Sequence, residues 1–210
     1  MAKLTADARA LAASDPVMAG LVERIGHMDM ERRRRGRPKG DAYATLVRAI
    51  VGQQLSVKAA FTIHGRMLEL FGGENPSPAQ LLAAPESDLR GAGLSGRKVS
   101  YLQDLARHVD DGSLEVERFD QLSDEQVIEE ITAVRGLGEW SAQVFLMFHL
   151  ERPDVLPTGD LGIRKVAQNE YGLAELPKPA ELTAIAEPWR PRRTLACLYL
   201  WESLANAPVD

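Results

Sequence analysis

Val134-Arg135-Gly136-Leu137-Gly138-Glu139-Trp140-Ser141-Ala142 is the stretch of this chain with the clearest capacity for binding chemistry. A helix ends at a Gly-x-Gly turn and a second helix begins at once. The glycines let the backbone turn tightly and leave main-chain amides of the turn and of the next helix's first residues pointing outward. Together with the positive end of the second helix, those amides form a sequence-independent anchor for a phosphate. Gly136, Gly138 and Ser141 are therefore candidate contacts to a nucleic-acid backbone. Such a turn gives binding, not reaction. About twenty residues on, Leu156-Pro157-Thr158-Gly159-Asp160-Leu161-Gly162-Ile163-Arg164 sets a carboxylate where a helix starts, the position of an N-cap. Between Arg32 and Lys39 lies RRRRGRPK, six cations in eight residues, which could meet phosphates or form a solvated linker. Its Arg35-Gly36-Arg37-Pro38 also has the form of an AT-hook core.

Composition narrows the rest. The chain has 210 residues, 45% hydrophobic and 26% charged, which suits a folded globular protein of one domain or two small lobes. One cysteine, Cys197, forbids an intrachain disulfide, a four-thiolate iron–sulfur cluster and a Cys-rich zinc site. His27, His64, His108 and His149 have no ligand spacing. A net charge of −5 does not advertise a polyanionic partner for the chain as a whole, so any such contact depends on local patches. Apolar runs fall short of the roughly 20 residues that span a bilayer, and the first residues lack the pattern of a secretory signal. A cytoplasmic, membrane-free protein is expected.

The elements that must position these residues read as helices. Asp15-Pro16 opens one that runs to about His27. Tyr43, Leu46, Val47 and Ile50 form the stripe of another. Ser56 caps a helix whose apolar residues are Phe61, Ile63, Met67, Leu68 and Leu70, and Gly72-Gly73 stop it. Val99, Leu102, Leu105 and Ala106 line a helix from Arg97 to about Val109. Ser123 and Gln126 form a capping box before Val127, Ile128, Ile131 and Val134. Thr194 to Leu204 is apolar almost all round, as in a helix at the centre of a fold. No strand pattern of useful length occurs, so the expected class is all-α. Residues 1–40 read as an N-terminal helical segment with a basic linker, and 41–210 as a core of two helical lobes, one shared by the N- and C-terminal segments.

Four segments, in order, carry a resemblance to the helix-hairpin-helix DNA glycosylase superfamily, 3-methyladenine DNA glycosylase II type. They are AIVGQQLS at 49–56, the hairpin at 134–142, LPTGDLGIRK at 156–165 and WRPRRTLACLYLW at 189–201. The resemblance implies a two-lobed helical fold with the DNA cleft between the lobes. It also implies a compact member, without the mixed-strand domain that larger members carry in front.

What the resemblance implies for chemistry is specific. The residue matching Asp160 is the catalytic carboxylate. Breaking a base–sugar bond builds positive charge on the deoxyribose, which a fixed carboxylate stabilises while it orients or deprotonates a water. An N-cap role is compatible with this. Members that also cleave the sugar–phosphate chain place a lysine where this chain has Trp140, so a monofunctional enzyme that leaves an abasic site is implied. Trp140 and Trp201 match walls of the pocket for the extruded base, whose methylation makes it cationic and attractive to an indole face. Val144 stands where larger relatives have another pocket aromatic. Gln53, Gln54 and Leu55 match the loop that enters the minor groove, Gln54 standing where the best-known relative has an apolar wedge. Arg164 and Lys165, with Arg192 and Arg193, are candidate phosphate ligands or surface ion pairs. No cofactor is required for the chemistry, and the carbonyls of Thr132, Val134 and Leu137 match those that hold a structural Na+ or K+. The expected partner is double-stranded DNA containing alkylated purines, the expected state a monomer. The alternatives are a catalytically silent DNA-binding protein built on the same hairpin, and a glycosylase for deaminated or mismatched bases.

Overall fold

The computed structural model describes residues 4–28 and 41–205; the arginine run and its AT-hook-like core lie outside them. Among the described residues every α or 3-10 element is helical and there is no strand, as the sequence pattern predicts. In chain order the α-helices are α1 (Ala6–Ser14), α2 (Pro16–Ile25), α3 (Ala42–Gly52), α4 (Val57–Glu69), α5 (Pro78–Ala83), α6 (Glu86–Gly91) and α7 (Gly96–Asp110). They continue as α8 (Asp124–Ala133), α9 (Glu139–Phe148), α10 (Leu161–Glu170), α11 (Pro179–Ile185) and α12 (Arg193–Ala205). Short 3-10 turns occupy Val116–Gln121 and Glu187–Trp189. No helix among the described residues is long and apolar enough to cross a membrane.

The chain divides into two compact units, one made of residues 1–38 and 151–210, the other of 39–150. In the first, α12 packs on α2 and α10. Its Ala196, Cys197, Leu198, Tyr199 and Leu200 are fully buried, whereas Leu204 near its end is exposed, so only the first half of this helix is the buried centre. Asp15 caps α2 as its sequence position predicts, with Oδ1 accepting from the amides of Val17 and Met18 at 2.8 and 2.9 Å. Its Oδ2 accepts the Tyr171 hydroxyl at 2.9 Å, so this buried carboxylate is satisfied by three donors. Arg193 donates to both carboxylate oxygens of Asp154, at 2.8 and 3.0 Å, and Arg190 reaches the same group at 2.6 Å.

In the second unit α3 is the central helix, contacting α4, α7 and α9, with Leu46, Val47, Ile50 and Val51 excluded from water. Each such side chain contributes about 1.5–3 kcal/mol. α8 packs on α9, and the Phe119 ring meets Phe145 edge-on at 5.6 Å. The caps at Ser56 and Ser123 form as expected. α4 departs from the sequence reading. Only Met67 of its apolar residues is buried, Leu70 is exposed and Phe61 is 80% exposed. Phe61 stands two and six residues from Ile63 and Met67, not three or four, so it lies on a different face of the helix. Helices α1, α5, α6 and α11 escape the sequence reading; the last three have six or seven residues, too few for periodicity to register.

Candidate active site and nucleic-acid interface

In the first unit the chain arrives at Asp160 through a tight turn, with the Asp160 amide donating to the Pro157 carbonyl at 3.0 Å. Asp160 is the N-cap of α10, so the first amides of that helix face its carboxylate. Its Oδ1 accepts from the Ile163 amide at 2.8 Å and from the Trp201 indole Nε1 at 3.1 Å. Residues 41 positions apart in the chain are thus joined on one carboxylate oxygen. Gly162 lies close by: a Cβ there would stand 3.0 Å from Leu204 and 3.1 Å from that oxygen, both tight, and at ordinary contact, 3.7 Å, from the indole ring. Asp160 and Trp201 are both half-buried, so the indole is neither simply core nor simply surface.

Cys197, on the buried face of α12, is fully enclosed. Burial, and after it the charge of Asp160, pushes its thiol well above the ordinary value, which keeps it protonated and inert beside the carboxylate. Of the candidate phosphate ligands, Arg164 donates through Nε to the Pro177 carbonyl at 2.8 Å and Lys165 is exposed. Arg192 pairs with Asp7 at 2.8 Å and Arg193 with Asp154. Three of these four cations therefore have partners within the fold.

In the second unit the hairpin has its buried anchors at Val134 and Leu137, while Arg135, Gly136 and Gly138 are exposed. Of the two glycines only Gly136 has a left-handed backbone, φ +86°; Gly138 is extended and serves as the N-cap of α9. A Cβ on Gly136 would lie 2.1 Å from the Tyr101 ring, so this glycine is required by both conformation and space. No side-chain hydrogen bond from the N-cap position caps α9. Trp140, 50% exposed, and half-buried Val144 stand four residues apart, on one face of α9. Ser141 is half-buried in the first turn of α9.

Residues 52–55 form a type II turn. Leu55 N–H donates to the Gly52 carbonyl at 3.3 Å, Gln53 has φ −54° and ψ 133°, and Gln54 has φ +56°. Gln54 and Leu55 are exposed. Gln53 instead turns back on the protein, its Nε2 donating to the Gly136 carbonyl at 2.7 Å.

Sequence reasoning missed the residues behind the hairpin. Asp104 of α7 accepts the Arg135 amide on Oδ2 at 2.9 Å and the Arg107 guanidinium on Oδ1 at 2.9 Å. Its signal is a carboxylate set among the apolar positions Leu102, Leu105 and Ala106, and it is indeed buried. The carbonyls that match a cation site fit a singly charged hard ion. Thr132 is in the last turn of α8, Val134 is its C-cap and accepts the Leu137 amide at 3.1 Å, and Leu137 is in the turn that follows; all three offer neutral carbonyl oxygens, and no cluster of three or more His, Cys, Asp or Glu occurs among the described residues.

Residues 47–191 match the family model described as "HhH-GPD superfamily base excision DNA repair protein". The chain belongs to the HhH-GPD superfamily. Among HhH-GPD relatives, DNA-3-methyladenine glycosylase 1 of Schizosaccharomyces pombe is 32% identical over 185 residues, covering 87% of this chain and 80% of that protein. The crystal structure of DNA-3-methyladenine glycosidase from Bacillus halodurans superposes with a TM-score of 0.83 at 35% identity, over 96% of this chain and 90% of that one. The S. pombe 3-methyladenine DNA glycosylase in complex with abasic DNA gives 0.84 at 30% identity, over 98% and 100%. This chain spans 57% of the length of the DNA-3-methyladenine glycosylases of Bacillus subtilis and Escherichia coli that it matches.

Proposed function

We propose that this protein is a monofunctional DNA glycosylase that removes alkylated purines, such as 3-methyladenine and 7-methylguanine, from double-stranded DNA and leaves an abasic site. The observation that carries this reading is the half-buried carboxylate of Asp160, held by the Ile163 amide and the Trp201 indole, in a chain of this superfamily. Water adds to the sugar C1′ as the bond from C1′ to the base nitrogen breaks. The bonding electrons leave with the base, which its methyl group has already made cationic. Asp160 stabilises the developing positive charge on the sugar and takes the proton from the water.

Each unit offers an indole to an extruded cationic base: Trp201 beside Asp160 in one, and Trp140, with Val144 on the same face of α9, in the other. Trp140 offers no amine to the sugar, so the phosphate chain is left intact. The hairpin residues Gly136, Gly138 and Ser141 bind a backbone phosphate, Lys165 and Arg164 add positive charge toward the DNA, and Gln54 and Leu55 enter the groove. Thr132, Val134 and Leu137 would hold Na+ or K+ through their carbonyls, supplying positive charge to that phosphate. The chemistry itself needs no cofactor. The protein acts as a monomer in the cytoplasm, and the N-terminal helical segment, followed in sequence by the basic run, shares one lobe with the C-terminal part of the chain.

The test is incubation with a duplex methylated at purine nitrogens, with chromatography of the released bases. Free 3-methyladenine and 7-methylguanine are expected, with strand breaks only after alkali. Release confined to deaminated or mismatched bases, or nicking without alkali, would overturn the assignment.

A further inference from the structure

Helix α7 turns one face toward both nucleic-acid-facing loops of its unit. Lys98 donates through Nζ to the Val51 carbonyl at 2.8 Å, one residue before the 52–55 turn. Tyr101, one turn along, lies against Gly136 so closely that no side chain fits there. Asp104, one turn further, fixes the Arg135 amide. The positions 98, 101 and 104 are three apart and share a face of α7. Gln53 closes the circuit by donating directly from the 52–55 turn to the hairpin carbonyl of Gly136.

The 52–55 turn needs such support. The third position of a type II turn has a left-handed backbone that favours glycine, and here it is Gln54, at φ +56°. A side chain in that conformation persists where its surroundings over-determine it, and such strain collects where a residue must be held ready to act. The backbone hydrogen bonds of the turn are long, Leu55 to Gly52 at 3.3 Å and Gln53 to Ile50 at 3.3 Å, so they hold it weakly. A much shorter hydrogen bond ties the turn to a distant part of the unit: the Gln53 side-chain amide donates to the Gly136 carbonyl at 2.7 Å.

We propose that Gln53 is a positioning residue that joins the hairpin to the 52–55 turn, so that phosphate engagement by the hairpin and entry of Gln54 into the duplex occur as one event. This rests on the DNA-glycosylase reading. Gln53 makes its contribution through Gln54, and the α7 residues Lys98, Tyr101 and Asp104 are the frame against which the pair is held.

A double-mutant cycle of Gln53→Ala and Gln54→Ala tests it, read in two assays: single-turnover release of 7-methylguanine, and equilibrium binding to duplexes either undamaged or carrying a tetrahydrofuran abasic analogue. Circular dichroism checks the fold of each variant. Gln53→Ala should slow release about five- to tenfold, as expected for one side-chain hydrogen bond, and weaken abasic-duplex binding similarly while leaving affinity for undamaged duplex within twofold. The double variant should be no more than about twofold worse than Gln54→Ala, because the two losses are one loss. Losses that multiply would make Gln53 an independent DNA contact and overturn the proposal, as would weakened binding to undamaged duplex or wild-type behaviour of Gln53→Ala. If no 7-methylguanine is released by any form, the substrate reading has failed, and the same cycle in abasic-duplex binding still decides for or against coupling.

Discussion

Replacing Trp201 with Phe separates two functions that one indole combines. The phenyl ring keeps an aromatic wall, but it removes the Nε1 donor that reaches Asp160 Oδ1 at 3.1 Å. A hydrogen bond to a charged group contributes about 1.5–3 kcal/mol, and the half-exposed setting of both partners places this one in the lower half of that range. The Ile163 amide still holds the same oxygen at 2.8 Å, so the carboxylate stays capped and the defect is graded. A loss of about 1.5–2 kcal/mol felt at the transition state is about a 10- to 30-fold slower reaction. Single-turnover release of 7-methylguanine at saturating protein reads that step, and equilibrium binding to an abasic-analogue duplex reads affinity. Trp201→Phe should lower the rate by that factor with binding within about threefold, since an aromatic face remains for a cationic base. Trp201→Ala should lose both. A wild-type rate in Trp201→Phe beside a slow Trp201→Ala would refute the reasoning and reduce the indole to a pocket wall.

Two further outcomes follow from the second unit. Gly136→Ala must adopt φ +86° and meet the Tyr101 ring, so thermal or denaturant unfolding should register a loss of about 3 kcal/mol or more, and Gly138→Ala, at an extended position with open space, far less. Burial, and then the charge of Arg48, lowers the His64 pKa, and its Nε2 is buried without a hydrogen-bond partner. The unfolded chain therefore binds a proton more readily at this site. Its contribution is intact above the ordinary value near 6.5 and is lost progressively as pH falls from there toward the lowered folded value. The midpoint of unfolding should drop more between pH 7 and pH 5 in the wild type than in His64→Leu, and equal drops would contradict this assignment.

The parts of this molecule legible in the sequence are those with local causes. Asp15, Ser56 and Ser123 announce helix starts because a cap acts on amides two or three residues away. The stripe Tyr43, Leu46, Val47 and Ile50 announces a buried face. Gly136 announces the hairpin, since its backbone is left-handed. The 52–55 turn is hidden because its left-handed position holds Gln54 rather than glycine or asparagine, and what restrains it lies 83 residues away. The indole bond to Asp160 is hidden for the same reason: it joins α12 to the start of α10, and no spacing rule reaches across 41 residues. Family resemblance pointed to Asp160 and Trp201 separately, while their hydrogen bond emerges only from the folded chain.

The central claim rests on the charge of Asp160, and Asp160→Asn isolates it. Asparagine keeps an oxygen acceptor for the Ile163 amide and the Trp201 indole, so shape and capping survive while the negative charge is removed. Release of free base from methylated duplex, followed with strand integrity before and after alkali, is the direct measurement. The account predicts base release by the wild type with nicks only after alkali, at least about a 100-fold loss in Asp160→Asn, and abasic-duplex affinity within a few-fold of wild type. Base release by Asp160→Asn at the wild-type rate, or tight duplex binding by both proteins with no base released by either, would contradict it.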